Sequence, residues 1–355
     1  MDRETSPQRR KAQATADSEK NGGNGWLPVA GLAFGIAALV FIVYFVGLET
    51  ILDPLGKIGW GFFWIVALNG IRHYLRAVNL YIAVPRAERS FNVRHALSAR
   101  LAGETITTIA FTGPVLGDAA KAAMLKRKIP LEHSATAVII DGIIYYVTSL
   151  VLILAGAIVV LSAYGTGLAL NLILVGLVVF SIVVLSGIWL AVKKNVTPVS
   201  WLLKKLGERW YVPRSLRRKQ DGIEEVENNV VQFHDQRPRA FFILVGIILL
   251  SHFLSVVEAY WAMRMLGLEL TAASAFIIEA LTKAVNFLFF LIPGTIGAYE
   301  GGSGLILTAL GYTAGAGVAL ALVRRGAILF WTFVGGIILL WRGAKSSAQQ
   351  LVEDD

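Results

Sequence analysis

Leu291-Ile292-Pro293-Gly294-Thr295-Ile296-Gly297-Ala298-Tyr299-Glu300-Gly301-Gly302 lies inside a long apolar region, yet it holds a proline, four glycines and a carboxylate. Backbone broken at Pro293-Gly294 cannot face lipid, because every unpaired N–H or C=O there is left without a hydrogen bond. Such a segment persists only where protein packs around it or where it lines a wet cavity. Glu300 sharpens the point, since a carboxylate at membrane depth marks a functional site by default. A weaker echo stands earlier, at Phe111-Thr112-Gly113-Pro114-Val115-Leu116-Gly117-Asp118. Two broken, acid-bearing apolar segments in one chain suggest a transporter built on an internal repeat.

The composition agrees. Of 355 residues, 55% are hydrophobic and 16% charged, and the mean hydropathy is +0.63. Soluble domains carry about 25% charged residues, so this is an integral membrane protein. The chain has no cysteine, which excludes disulfides, thiol catalysis and cysteine-ligated zinc. The net charge of +9 fits basic cytoplasmic loops rather than nucleic-acid binding.

Taken from the start, residues 1–25 are polar and read as a disordered cytoplasmic tail. Trp26 to Leu48 is long enough to span and too long for a signal-peptide core. A second span is expected over Ile58 to Tyr81, with Arg72, His73 and Arg76 at its end snorkelling to the headgroups. Arg86, Arg89, Arg94 and Arg100 follow, which puts that side in the cytoplasm. An amphipathic helix over Phe91 to Phe111, opened by Ser90 as N-cap, runs into Gly113-Pro114. Only thirteen residues, 105–117, separate Glu104 from Asp118, too few to cross about 30 Å of hydrocarbon as a helix. A re-entrant hairpin entering from the cytoplasm is therefore expected.

Two strong spans follow, Ser134–Ala163 and Gly167–Val192. The loop 193–239 carries eleven Lys/Arg against six Asp/Glu, so it is expected in the cytoplasm, with an amphipathic helix over Ile223–Val231. A span over Ala240–Met265 carries His252 and Glu258. The second broken segment runs from Ala272 to Leu310, and the last span, Gly317–Leu340, contains Arg324-Arg325. Its basic end puts the C-terminus inside, so the second hairpin enters from the outside. The expected fold is thus an all-α polytopic membrane protein with about six transmembrane helices. Two oppositely oriented re-entrant hairpins complete an inverted repeat. The transmembrane domain covers 26–343, and residues 344–355 form a cytoplasmic tail.

A half-helix starting after each break would aim free N–H groups at an anion. Asp118 and Glu300 lie near those starts, where they would cap, gate or pair. Lys121, Lys283, Arg324 and Arg325 are their expected partners, because a buried unpaired charge is very costly. Glu104, Asp141, Glu258 and Glu279 are the other acids at membrane depth. Any of these acids could equally form a pair that only fixes packing. Gly113-x-x-x-Gly117 and Gly311-x-x-x-Gly315 fit helix packing. The five histidines show no zinc-protease spacing and no Walker sequence occurs, so neither metal nor nucleotide cofactor is expected.

At these residues the chain resembles the flippase-like family named after the transmembrane region of lysylphosphatidylglycerol synthase. The resemblance rests on Gly113-Pro114-Val115-Leu116-Gly117-Asp118-Ala119-Ala120-Lys121 followed by Asp141, and on Pro293-Gly294-Thr295-Ile296-Gly297-Ala298-Tyr299-Glu300-Gly301 followed by Arg325. It covers about residues 28–343. The first motif departs from the family pattern: Gly-Pro replaces Pro-Gly, Lys121 stands for an arginine, and Gly142 follows Asp141 where the family has arginine. The Glu224-x-x-Glu227 helix and the Arg324-Arg325 pair are similar to the stand-alone, hopanoid-biosynthesis-associated group.

The resemblance implies translocation of an anionic or polar-headed lipid across the bacterial inner membrane, without catalysis. The lipid would be a phospholipid, a polyprenyl-linked lipid or a hopanoid. Lipid-synthesis enzymes are possible partners. Two other functions remain open: a membrane transferase with Asp118 or Glu300 as base, and a non-catalytic partner of a lipid-synthesis complex.

Overall fold

The apolar periodicity resolves into long helices whose ends fall where proline, glycine and capping side chains require them. A computed structural model describes residues 56–110, 113–164, 167–197, 200, 201, 205 and 220–353. The expected tail 1–25 and the first expected span, Trp26–Leu48, lie outside the described residues.

Helix α1 covers Gly61–Ala83 and stops at extended Val84, because Pro85 disfavours helical geometry in the residue before it. Helix α2 covers Val93–Ile109. Its cap is Asn92, whose side-chain oxygen accepts the His95 N–H at 3.1 Å, and not the expected Ser90. The Ser90 hydroxyl instead donates to the Lys128 carbonyl. Helix α3 covers Gly113–Leu125, with Pro114 in its first turn, where no donor is missed. Helices α4 (Leu131–Ala163) and α5 (Leu168–Lys193) follow. Then come α6 (Gln220–Val231) on the polar loop and α7 (Pro238–Met265), which opens on proline.

The second broken segment folds as helix α8 (Ala272–Leu288), a 3-10 turn at Pro293–Thr295, and helix α9 (Ala298–Ala309). Thr271 caps α8 through the Ser274 N–H. Helix α10 runs Ala314–Glu353. Each expected break is therefore a helix–break–helix pair, α2 with α3 and α8 with α9, and the members of each pair pack on one another.

Four of the described helices are long and apolar enough to cross a membrane: α4, α5, α7 and Ala314–Trp341 of α10. Helix α1 is long enough, but Asn69, Arg72, His73 and Arg76 keep it out of that set. The protein is an all-α, multi-pass membrane protein.

Small residues bring the helices close around the centre. A Cβ on Gly335 of α10 would lie 2.3 Å from the Leu101 carbonyl of α2, and one on Gly156 of α4 would lie 2.5 Å from Ala280 of α8. Gly113 and Gly117 seat α3 on α2, against Thr107 and the Gly103 carbonyl, as their spacing predicted. Gly311 and Gly315 do not pack: a Cβ at either meets nothing within 4 Å. Gly311 instead has φ +87° after α9, a turn conformation that glycine adopts without a Cβ penalty. The contact belongs to Gly317, whose Cβ would lie 2.3 Å from the Ser303 carbonyl.

Two apolar cores result. One gathers Ile65, Ala262, Met263, Ile277, Leu307 and Leu320. The other gathers Leu80, Ala96, Leu125, Ile144, Leu244 and Ile248. Along α1 the sequence passes from the first core through Asn69, Arg72 and Arg76 to the second, and α7 passes back through His252 and Glu258. A charged layer therefore lies between two greasy ones. Helix α5 packs on α4 and buries Leu174 and Ser181. Its remaining surface suits lipid.

Candidate functional site

A cavity of about 590 Å³ occupies the charged layer. Its walls come from α1, α2, α3, α4, α7, α8, α9, α10 and the segment around the Pro293–Thr295 turn. Apolar Val115, Phe290 and Ile292 line it and are themselves exposed on the outside. The cavity is thus charged within and greasy at the rim.

The first half of the chain supplies one set of pairs. Arg76 meets Asp141 in a forked contact, Nε to Oδ1 at 3.2 Å and Nη2 to Oδ2 at 2.6 Å. Asn79 also donates to Oδ1, at 2.8 Å. The Arg76 guanidinium lies over the Tyr145 ring, 4.2 Å from its centroid. Arg100 pairs with Glu104 one turn on at 3.0 Å and approaches Asp141 at 3.8 Å. Lys121 reaches back one turn to Asp118 at 2.7 Å. Asp118 and Lys121 line the cavity, whereas Asp141 stands behind Arg76.

The second half supplies the other set. Arg324 lies between two acids, 3.1 Å from Glu258 and 2.7 Å from Glu279, and also donates to the Ser255 hydroxyl at 2.9 Å. Glu258 takes Arg72 at 2.7 Å on its other oxygen, and Glu279 takes Lys283 at 2.8 Å. Arg325 donates to Glu300 at 2.5 Å and to the Gly294 carbonyl at 3.0 Å. The second Glu300 oxygen accepts the Gly297 N–H at 2.8 Å. Glu300 thus ties the break, the start of α9 and α10 together.

Several expectations change at this point. Arg72 and Arg76 do not snorkel: their helix ends only at Ala83, which sets them in its middle, and both find buried acids. Arg76 is 6% exposed. Asp118 and Glu300 do take Lys121 and Arg325, but Lys283 and Arg324 serve Glu279 and Glu258 instead. The Gly297 N–H at the second break is already held by Glu300, so it does not stand free for an anion. Gly297 has φ +78°, the left-handed geometry that suits glycine. Gly113 and Gly117 make packing contacts, and Gly301 lies on an exposed face with open space beside it. Pro293 sits in the turn whose Gly294 carbonyl receives Arg325.

Arg72, Arg76, Asn79 and Arg100 were missing from the expected set. Their signal was available: Asn69, Arg72, Arg76 and Asn79 recur every three or four residues, so a polar stripe runs along an otherwise apolar helix.

Buried pairs of this kind gain from mutual attraction and lose from desolvation in comparable amounts. They persist here because nearly every charged oxygen meets a donor. Such a layer marks a function more than it marks stability.

The fold and cavity define a class: a multi-pass helical membrane protein with an internally charged, apolar-rimmed chamber between two helix–break–helix pairs. The model of the family "Lysylphosphatidylglycerol synthase TM region" matches residues 29–336, most of the chain, and the protein belongs to that family. No curated protein and no solved structure matches it.

Proposed function

We propose that this protein moves a lipid with an anionic or polar headgroup across the bacterial inner membrane. The headgroup passes through the cavity while the acyl or polyprenyl chains stay on the apolar rim at Val115, Phe290 and Ile292. One observation carries this reading: the chamber is charged inside, exposed and apolar at its edge, and bounded by both helix breaks. A water-soluble solute would have no use for such a rim. Membership in a flippase-like family supports the same conclusion.

In this reading α2–α3 and α8–α9 are re-entrant hairpins entering from opposite faces, and the termini are cytoplasmic. Together with the following helices, α4 and α10, they form the two halves of an inverted repeat. Asp118 with Lys121 and Glu300 with Arg325 form matched gates at the two breaks. Phospholipids, polyprenyl-linked lipids and hopanoids with polar heads are the candidate cargo. A transferase role is supported less, because every cavity carboxylate is already engaged by a cation.

The test is leaflet exchange of headgroup-labelled phospholipids in liposomes holding the purified protein, wild type beside Glu300→Gln. Exchange by the wild type, lost in a variant of normal abundance, is the expected result. Full exchange by the variant would remove Glu300 from the gate.

A further inference from the structure

The ion pairs around the cavity do not balance, and the imbalance sits in one place. In the first half Arg76, Arg100 and Lys121 stand against Asp141, Glu104 and Asp118. In the second half Arg325 is matched by Glu300. There remain Arg72, Lys283 and Arg324, which share only Glu258 and Glu279. Counting histidines as neutral, the described residues in these pairs carry one positive charge more than negative.

An excess positive charge in a partly desolvated chamber carries an electrostatic penalty even where each cation touches a carboxylate. One negative charge brought by a ligand removes that penalty. A neutral or zwitterionic ligand leaves it in place, and a dianion replaces it with the opposite excess. Arg72 and Arg100 both line the cavity, and the Arg72 side chain, 21% exposed, meets Glu258 through one terminal nitrogen. The Arg100 side chain is itself 10% exposed. Guanidinium donors of this kind suit phosphate oxygens.

We infer that the cavity selects a headgroup of net charge −1, a phosphodiester whose other substituent is uncharged, such as a glycerol or a sugar. Zwitterionic diesters and doubly charged phosphomonoesters are rejected. This rests on the reading that the cavity holds a lipid headgroup, and it narrows that reading to one charge class. Arg72 is the selecting residue. It can be neutralised without stranding an acid, because Glu258 keeps Arg324 at 3.1 Å.

The experiment uses vesicles holding the full-length protein and acyl-labelled phosphatidylglycerol, phosphatidylcholine or phosphatidate. A binding arm in detergent compares short-chain phosphatidylglycerol, water-soluble glycerophosphoglycerol and glycerophosphocholine. Wild type is expected to exchange phosphatidylglycerol about tenfold faster than either other lipid. Arg72→Gln removes that preference and raises phosphatidylcholine exchange, while Arg72→Lys retains it. Glu279→Gln, which leaves two surplus positive charges, shifts the preference towards phosphatidate. The thermal midpoint of each purified variant separates a change of selectivity from a loss of fold.

Equal exchange of all three lipids by wild type, or an unchanged order in Arg72→Gln, overturns the charge selection and leaves translocation standing. No exchange of any lipid, with phosphatidylglycerol still bound preferentially and that preference lost in Arg72→Gln, does the reverse. Neither exchange nor preferential binding overturns both. Glycerophosphoglycerol binding as tightly as the short-chain lipid would make the ligand a free diester and overturn the lipid-headgroup assignment.

Discussion

Gly142 stands against Asp118: a Cβ at Gly142 would lie 3.6 Å from the Asp118 Oδ2 atom, which is in ordinary contact and unobstructed. At the second break Arg325 grips Glu300 at 2.5 Å. The acids at the two breaks are therefore held differently. At the second, an arginine from the following long helix clamps the acid. At the first, Lys121 on the acid's own helix does so, and Gly142 leaves space beside the acid.

Gly142→Arg should add a clamp of the second kind at the first break. The variant is expected to fold with normal abundance, bind Asp118 and obstruct the cavity, lowering leaflet exchange by about tenfold, a change of some 1.4 kcal/mol. Initial exchange rates at matched protein density check it. A rate equal to wild type would mean that the space beside Asp118 lies off the path.

Breaking the Arg325–Glu300 pair from one side should be worse than removing it whole. Arg325→Ala leaves Glu300 with one backbone donor at 8% exposure, and loss of a buried partner costs about 3–5 kcal/mol. The double variant Arg325→Leu/Glu300→Gln should recover much of the stability and none of the transport. Thermal unfolding in one detergent, read beside exchange, separates the two effects. If the double variant is as unstable as Arg325→Ala, the pair is not the source of the loss.

Two glycines of the same broken segments should respond in opposite ways to alanine. At Gly117 the added Cβ would sit 1.8 Å from the Thr107 hydroxyl oxygen and 2.7 Å from the Gly103 carbonyl, so α3 must move off α2. A loss of about 1–3 kcal/mol is expected from such overpacking. At Gly301, in the body of α9, nothing lies within 4 Å, and alanine should add up to about 1 kcal/mol through helix propensity. Melting temperatures decide both signs.

The start of α2 offers a test of capping. Asn92→Ala removes the acceptor for the His95 N–H and should cost about 1 kcal/mol. Ser90→Ala should cost less, because its hydroxyl only staples the loop to the Lys128 carbonyl. Equal losses would show that the loop, not the cap, sets where α2 begins.

Much of this was legible in the sequence because hydropathy and helix breakers act locally. The long spans, both breaks, the loop helix and the pairs Asp118–Lys121 and Glu300–Arg325 lie within short reach along the chain or carry their own signal. Arg72 and Arg76 were misread for a definite reason. Hydropathy places arginines at the nearest membrane edge, whereas only the tertiary fold reveals that Glu258 and Asp141 wait for them 186 and 65 residues away. Gly311-x-x-x-Gly315 failed likewise, since spacing cannot tell a packing glycine from one that turns the chain. The partners of Arg324 are also non-local, 66 and 45 residues before it.

That separation has a consequence for how the protein is made. Helix α1 leaves the ribosome with Arg72 and Arg76 in its middle, and for Arg72 the matching acid is synthesised 186 residues later. At about 5–20 residues per second this is a wait of some 10–40 seconds. During that wait two mid-helix arginines make it costly for α1 to settle alone in hydrocarbon. Shelter in the insertion machinery, or a place at the membrane surface, is expected until α4 and α7 arrive. In a nascent chain stopped before residue 258, a single cysteine introduced at Ile65 of α1 should therefore react with a water-soluble maleimide, whereas in the finished chain, where that position is buried, it should be protected. The charged layer that shapes the chamber also makes insertion an event of the whole chain.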